Sequence, residues 1–181
     1  NTFRGSFSGS WIFSSTGATP DGTSAYMDTS LNANTSLNIN SSQISYYRNT
    51  YGSTEGVLIG INDLSLFLQP TSAAFYGSLA TTNFSTLVGN YATTGFFMVN
   101  RPSSTTQKLI RNNNILQTDS KSSVSYASSQ NVFIGNYTTG SGYASNSRCA
   151  FASIGDGLTD TEAANLYTAV QRFQTTLGRQ V

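Results

Sequence analysis

Apolar residues in this chain fall in short runs separated by Gly, Ser, Asn and Asp clusters, and the runs recur about every ten residues. Residues 10–13 hold Trp11, Ile12 and Phe13 and end at Ser14-Ser15-Thr16-Gly17. Residues 24–28 follow the turn pair Asp21-Gly22, and residues 36–40 alternate, with Leu37 and Ile39 on one face. Residues 43–47 continue in that style. Residues 55–61 and 65–69 read as paired strands around Asn62-Asp63. Residues 95–100 read as a fully buried strand stopped by Arg101-Pro102, and 131–135 and 148–154 close the series. The spacing predicts an all-β, two-sheet antiparallel β-sandwich. One hairpin is explicit: residues 107–111 lead through Asn112-Asn113-Asn114 into 115–117, and asparagine tolerates the left-handed conformation that tight turns require. With no internal repeat and no linker-like break, residues 1–181 read as one domain.

The period changes near the end. Thr159-Asp160-Thr161-Glu162 is a capping box, and after it Ala163, Leu166, Val170, Phe173 and Leu177 share one face at helical spacing. Gly178 stands where a helix stops. The pattern predicts one C-terminal α-helix over about 160–177, with Leu166, Val170 and Phe173 buried against a sheet or a neighbouring subunit.

Composition narrows the chemistry. Charged residues are 9% of 181, the net charge is +1, and aromatics are 12%. A chain without a basic stripe has no means of displacing counterions, which argues against nucleic acid as a partner. The aromatic content argues against disorder. There is no histidine and one cysteine, Cys149. That removes Ser-His-Asp and Cys-His triads, His-ligated zinc and an internal disulfide. Cys149, placed in phase with Phe151, reads as a buried small hydrophobe. The longest apolar run, 57–61, is far short of the roughly 20 residues of a membrane helix, so no membrane insertion is expected. The chain opens on Asn1 with no signal-peptide pattern and is expected to be a processed form or an excerpt of a longer one.

Several segments together resemble the concanavalin A-like superfamily, in particular its laminin-G-like branch. They are the stretch 19–29 with Asp21-Gly22 and Tyr26-Met27-Asp28, the hairpin Arg111-Asn112-Asn113-Asn114, and Gly135 after Phe133-Ile134. The run 150–162 with Leu158-Thr159-Asp160-Thr161-Glu162, followed by Leu166-Tyr167, completes the set. The resemblance implies a jelly-roll sandwich. The helix extension through residue 179 and the polar, uncharged composition resemble the versions found in phage and other virion proteins. That implies a non-catalytic recognition module on a virion tail or fibre, binding a host surface glycan or receptor. The alternative it leaves open is a purely structural virion component, a capsid decoration or fibre head, mating with other subunits. Either implies a homo-oligomer on an extracellular particle.

The residues offer little catalysis. Of eight acids, Asp160 and Glu162 belong to the helix start, and Asp21, Asp28, Glu55, Asp63, Asp119 and Asp156 sit beside turn formers. A glycosidase needs two facing carboxylates, and no pair stands out, so no enzyme is expected. No cofactor is expected. Calcium is the one ion that the resemblance leaves open, with Asp21, Asp28, Asp63 and Asp156 as candidates. Two Tyr-bearing stretches read as polar loops: 46–52, with Tyr46, Tyr47 and Tyr51, and 136–146. The second is the longest turn-rich stretch. Its Tyr137 and Tyr143 could stack on a sugar while Asn136 and Asn146 exchange hydrogen bonds, so these four are the candidate ligand-binding residues.

Overall fold

The computed structural model describes residues 5–54, 56–62, 64–69, 74–89, 91, 93–126, 129–139 and 142–181. In it the chain forms two antiparallel seven-stranded sheets packed face to face. The first has the order β1 (Ser6–Ser8), β4 (Tyr26–Asn32), β13 (Asn131–Ile134), β6 (Gly56–Ile61), β7 (Leu64–Gln69), β8 (Ala74–Leu79) and β9 (Ser85–Val88). The second runs β12 (Asn114–Ser120), β11 (Thr106–Arg111), β10 (Gly95–Ser103), β5 (Ser42–Thr50), β14 (Arg148–Gly155), β3 (Gly17–Pro20) and β2 (Trp11–Ser14). A single turn of helix, α1 (Ala33–Ser36), follows β4, and α2 (Asp160–Thr176) ends the fold.

Alternation fills the space between the sheets. Leu64, Leu66 and Leu68 of β7 and Phe75 and Leu79 of β8 meet Ile44, Tyr46, Phe97, Val99 and Leu109 from the second sheet. The opposite face of β5 and β10 is apolar too, carrying Tyr47, Phe96 and Met98, and α2 covers it with Ala163 and Val170, flanked by Leu166 and Tyr167. Ser42 through Arg48 are therefore all buried. The capping box is formed as expected: Glu162 N donates to Thr159 Oγ1 (3.3 Å), and Thr159 N donates to Glu162 Oε2 (2.8 Å).

The structure corrects the sequence reading at five places. Residues 36–40 are not a strand; α1 and a turn closed by the Asn38–Ser41 bridge occupy them, and Asn32 caps α1 by accepting from Asn34 N (3.0 Å). Leu37 and Ile39 still pack on the core, which is why they alternate. Tyr46 and Tyr47 are not in a loop but in the middle of β5, fully buried; Tyr46 donates to the Ser147 carbonyl (2.9 Å). Pro102 does not stop β10, because the ladder to β11 bulges between Asn100 and Ser103 and needs no amide there.

The fourth and fifth corrections share a cause. Phe173 and Leu177 are each 48% exposed, and the buried line runs Ala163, Val170, Gln174 instead. Gln174 Nε2 donates to the Ala150 carbonyl (3.3 Å), while the Phe173 ring lies 5.2 Å from the Arg179 guanidinium. That carbonyl is available because β14 bulges between Cys149 and Phe151. The same bulge breaks the phase of the strand: Cys149 packs toward the inter-sheet core, and Ala150 and Phe151 both pack toward α2. Burial pushes the Cys149 thiol up to about 12, against smaller opposing effects from the Tyr46 hydroxyl and the Phe151 amide.

Three outcomes are expected from this packing. Val170→Ala should destabilise the protein by about 2 kcal/mol in urea denaturation, from lost methyl burial and a small cavity. Phe173→Ala should cost under about 1 kcal/mol, since half of its ring is already in water. At pH 8 the Cys149 thiol, raised by burial to about 12, should stay protonated and should not react with a disulfide reagent until denaturant is added. Burst labelling of the native protein would contradict this packing.

Candidate ligand-binding site

Most described carboxylates are committed to the fold. Asp21 Oδ1 accepts three backbone amides, from Thr23 (2.8 Å), Ser24 (2.9 Å) and Ala25 (2.9 Å). Desolvation pushes its carboxyl up, but these amides outweigh it and hold Asp21 well below the usual carboxylate range. Asp28 accepts from Ser30 N (2.7 Å) and Asn131 Nδ2 (3.2 Å), and Asp119 from Gln117 Nε2 (2.8 Å). Asp160 pairs with Lys108 (2.5 Å). Asp156 is exposed on a loop. Glu55 and Asp63 lie outside the described residues. Among the described residues no cluster of three or more potential metal ligands forms, so Asp21, Asp28 and Asp156 do not converge on a cation.

Aromatic side chains do converge, on the outer face of the first sheet. Along β7 the leucines point inward, so Ser65 and Phe67 point outward. Phe67 is in register with Val57 on β6 and Tyr76 on β8, which puts the three in one row across the sheet. The Phe67 and Tyr76 rings stack at 5.3 Å with planes 28° apart. Tyr143 meets Phe67 edge-on at 5.6 Å, Phe84 meets Tyr76 edge-on at 6.3 Å, and Tyr137 tilts against Tyr143 at 5.4 Å. These five rings, with Val57, Asn62 and Ser65, line a groove of about 390 Å³. Tyr143 is 53% and Phe84 47% exposed, so the rings that flank the groove are open to solvent.

The loop that delivers Tyr137 and Tyr143 is tied to the sheet by its backbone. Val57 N donates to the Tyr143 carbonyl (2.8 Å), Ser145 N to the Gly135 carbonyl (2.8 Å), and Gly135 N to the Leu58 carbonyl (2.9 Å). Gly56 permits this approach, because a Cβ there would lie 2.5 Å from the Ala144 carbonyl carbon. Of the four candidate residues, Tyr137 and Tyr143 reach the groove. Asn136 is fully buried and accepts from the Tyr137 amide (2.8 Å). Asn146 accepts from Thr54 N (2.9 Å) and reaches Ser53 Oγ (3.4 Å). The two asparagines thus brace the loop from inside, and Gly140 and Ser141 at its tip lie outside the described residues. In the other Tyr-bearing stretch, Tyr51 lies against the Arg48 guanidinium (5.2 Å).

Sequence reasoning passed over Phe67, Tyr76, Phe84 and Ser65. A signal existed for the first: Phe67 sits out of phase with Leu64, Leu66 and Leu68, so an aromatic ring occupies the face that a polar residue normally takes. Which loop would meet that face is not encoded in alternation.

No family model matches the chain, and no curated protein sequence matches it significantly. Solved structures do match its fold. The CBM40 domain of a Ruminococcus gnavus IT-sialidase superposes with a TM-score of 0.51 at 14% identity, over 71% of this chain and 83% of that one. Domain 4 of a GH43 extracellular arabinanase from Geobacillus stearothermophilus, in complex with arabinotriose, gives 0.59 at 11% identity over 88% and 82%. The receptor-binding domain of a botulinum neurotoxin C/D mosaic serotype gives 0.58 at 12% identity over 92% of this chain and 46% of that one. At these identities the likeness is one of architecture: the chain shares the all-β sandwich of these domains.

Proposed function

We propose that this protein is a non-catalytic recognition module that binds a surface glycan, or a receptor bearing one, in the aromatic groove on the outer face of the first sheet. The observation that carries this reading is the groove itself, in which five rings from four separate parts of the chain gather on a face that could have been polar. Aromatic faces take up the C–H face of a sugar, and a few hydroxyl and amide groups fix its orientation. The architectural neighbours support it: one is an arabinanase domain in complex with arabinotriose, one a receptor-binding domain, and the CBM40 domain has been solved bound to α2,3-sialyllactose. The structural commitments of Asp21, Asp28, Asp119, Asp160 and Glu162 support the absence of catalysis. Stacking with neutral hydrogen bonds gives affinity of about millimolar order at one site, roughly 4 kcal/mol. We therefore place the module as a homo-oligomer on a virion tail or fibre, where copies add avidity. That setting rests on the resemblance of the helix extension.

One feature favours the alternative, a structural virion part. At the edge formed by β1 and β2, Phe7 (49% exposed) and Phe13 (62% exposed) pack edge-on at 5.0 Å, and Trp11 meets Phe7 at 5.0 Å. Such an edge suits contact with another subunit.

The test is Tyr137→Ala combined with Tyr143→Ala, in a fold checked by thermal denaturation. Binding on a glycan array of the multimerised protein should fall about tenfold or more, from the loss of two stacking partners. Unchanged binding would move the site elsewhere. Absence of binding by the unmodified multimer, with intact subunit assembly, would favour the structural reading.

A further inference from the structure

The groove differs in one respect from a site for acidic sugars. The described residues that line it include no Lys, Arg, Asp or Glu. A carboxylate-bearing sugar needs a cation or a set of converging donors to replace its hydration, because an unpaired buried charge is heavily penalised. The adjoining depression, which shares Phe84, holds Lys121, but its ammonium donates to the Asn83 (3.2 Å) and Phe84 (2.9 Å) carbonyls. In sequence, the charged residues nearest to Val57 and Asn62 are Glu55 and Asp63, both negative.

The lining also includes one buried side-chain hydroxyl without a partner. Ser65 is 2% exposed, lines the groove, and its Oγ has no hydrogen-bond partner. Its register partner on β8, Ser78, is 1% exposed and donates to the Thr81 carbonyl (3.2 Å). Its partner on β6 is Gly60, where a Cβ would lie 2.8 Å from that of Ser65. Two paired serines on one face thus differ: one satisfies a turn, and the other, in the groove lining beside Phe67, has no partner. A buried hydroxyl without a partner costs free energy, which a ligand hydroxyl in the groove removes.

We infer that the groove takes an uncharged saccharide and that the Ser65 hydroxyl is one of its hydrogen-bonding points within the groove. The inference rests on the groove being the ligand site proposed above. A neutral sugar suits both facts: it brings C–H faces for Phe67, Tyr76 and Tyr143, and hydroxyls that donate to or accept from Ser65.

The experiment titrates the full 181-residue chain with arabinotriose, cellotriose, lactose and α2,3-sialyllactose, the last two sharing a neutral core. Expected is binding of at least one neutral probe, changing less than twofold between 50 and 500 mM NaCl (about a threefold change in Debye length). Sialyllactose should bind no tighter than lactose. Ser65→Ala should weaken the neutral probe by about three- to tenfold, the worth of one neutral hydrogen bond. Ser78→Ala, equally buried, should leave it within about twofold if the fold is kept. Sialyllactose binding tenfold tighter than lactose with loss in salt, or Ser65→Ala binding as the parent does, would overturn the inference. If Tyr143→Ala still abolished that binding, the groove would stand as the site. No binding of any probe at about 10 mM would overturn the reading of the groove itself, and this inference with it.

Discussion

The β5–β10 pair is buried on both faces, and most of the molecule answers to that constraint. A ladder with apolar side chains above and below must be covered twice, once by the first sheet and once by α2. Its two ends are closed by arginines. Arg48, opposite Gly95, donates to the Tyr91 carbonyl (2.6 Å) and to the Thr93 carbonyl. Arg101, opposite Ser42 at the other end, donates to the carbonyls of Leu79 (2.7 Å) and Lys121 (2.8 Å). Neither guanidinium is paired with a carboxylate among the described residues. Burial pulls Arg48 down to about 10, which still leaves it charged at neutral pH. A buried cation bonded to loop carbonyls fixes those loops in a way that apolar contact cannot, because losing any one carbonyl leaves charge unsatisfied. The segments so held include the end of β8 and the linker into β10.

The groove grows from that rigidity. Its floor belongs to β6, β7 and β8, whose inner faces are locked into the inter-sheet core, and its walls are added by a loop whose backbone bonds to β6. Val57, Ser65, Phe67 and Tyr76 thus sit on regular strands, Asn62 and Phe84 just beyond strand ends, and Tyr137 and Tyr143 on the loop. If the groove takes a ligand as proposed, few rotamers need be fixed when it arrives, which offsets the weakness of uncharged contacts. The low charge content of the composition and the lack of charge among the described groove residues are the same property at two scales.

Much of the architecture was legible in the sequence because strand alternation, turn residues and the capping box are local signals. The sandwich, the 112–114 turn and the start of α2 at Thr159 are of that kind. Errors arose where a tertiary contact outvoted a local pattern. Tyr46-Tyr47-Arg48 looked like a polar loop because their partners, Ser147, Val181 and the Tyr91 carbonyl, are remote in sequence. Phe173 fitted the helical stripe, but Gln174 took the buried place by finding an acceptor on another element. The candidate site was half legible: the 136–146 loop supplies two rings to the groove, while Asn136 and Asn146 face the loop's own support. The rings from β7, β8 and Phe84 depend on strand register, which a single sequence does not state.

The β14 bulge carries one more consequence. Opposite it, β5 skips Asn49 between Thr50 and Arg48, so two irregularities cancel and the register on either side is the same. Asn49 Nδ2 is bonded to the Thr16 carbonyl (2.6 Å), and the Ala150 carbonyl receives both Gln174 and Arg179 (3.0 Å). Until β5 and β14 are paired, with their compensating extra residues in place, that acceptor does not exist in the right position. The polar docking of the C-terminal half of α2 therefore depends on the register of the second sheet, alongside the apolar contact of Val170 with the β5–β10 face. One carbonyl thus couples two elements: a change that shifted the β5–β14 register would move the acceptor that Gln174 and Arg179 share.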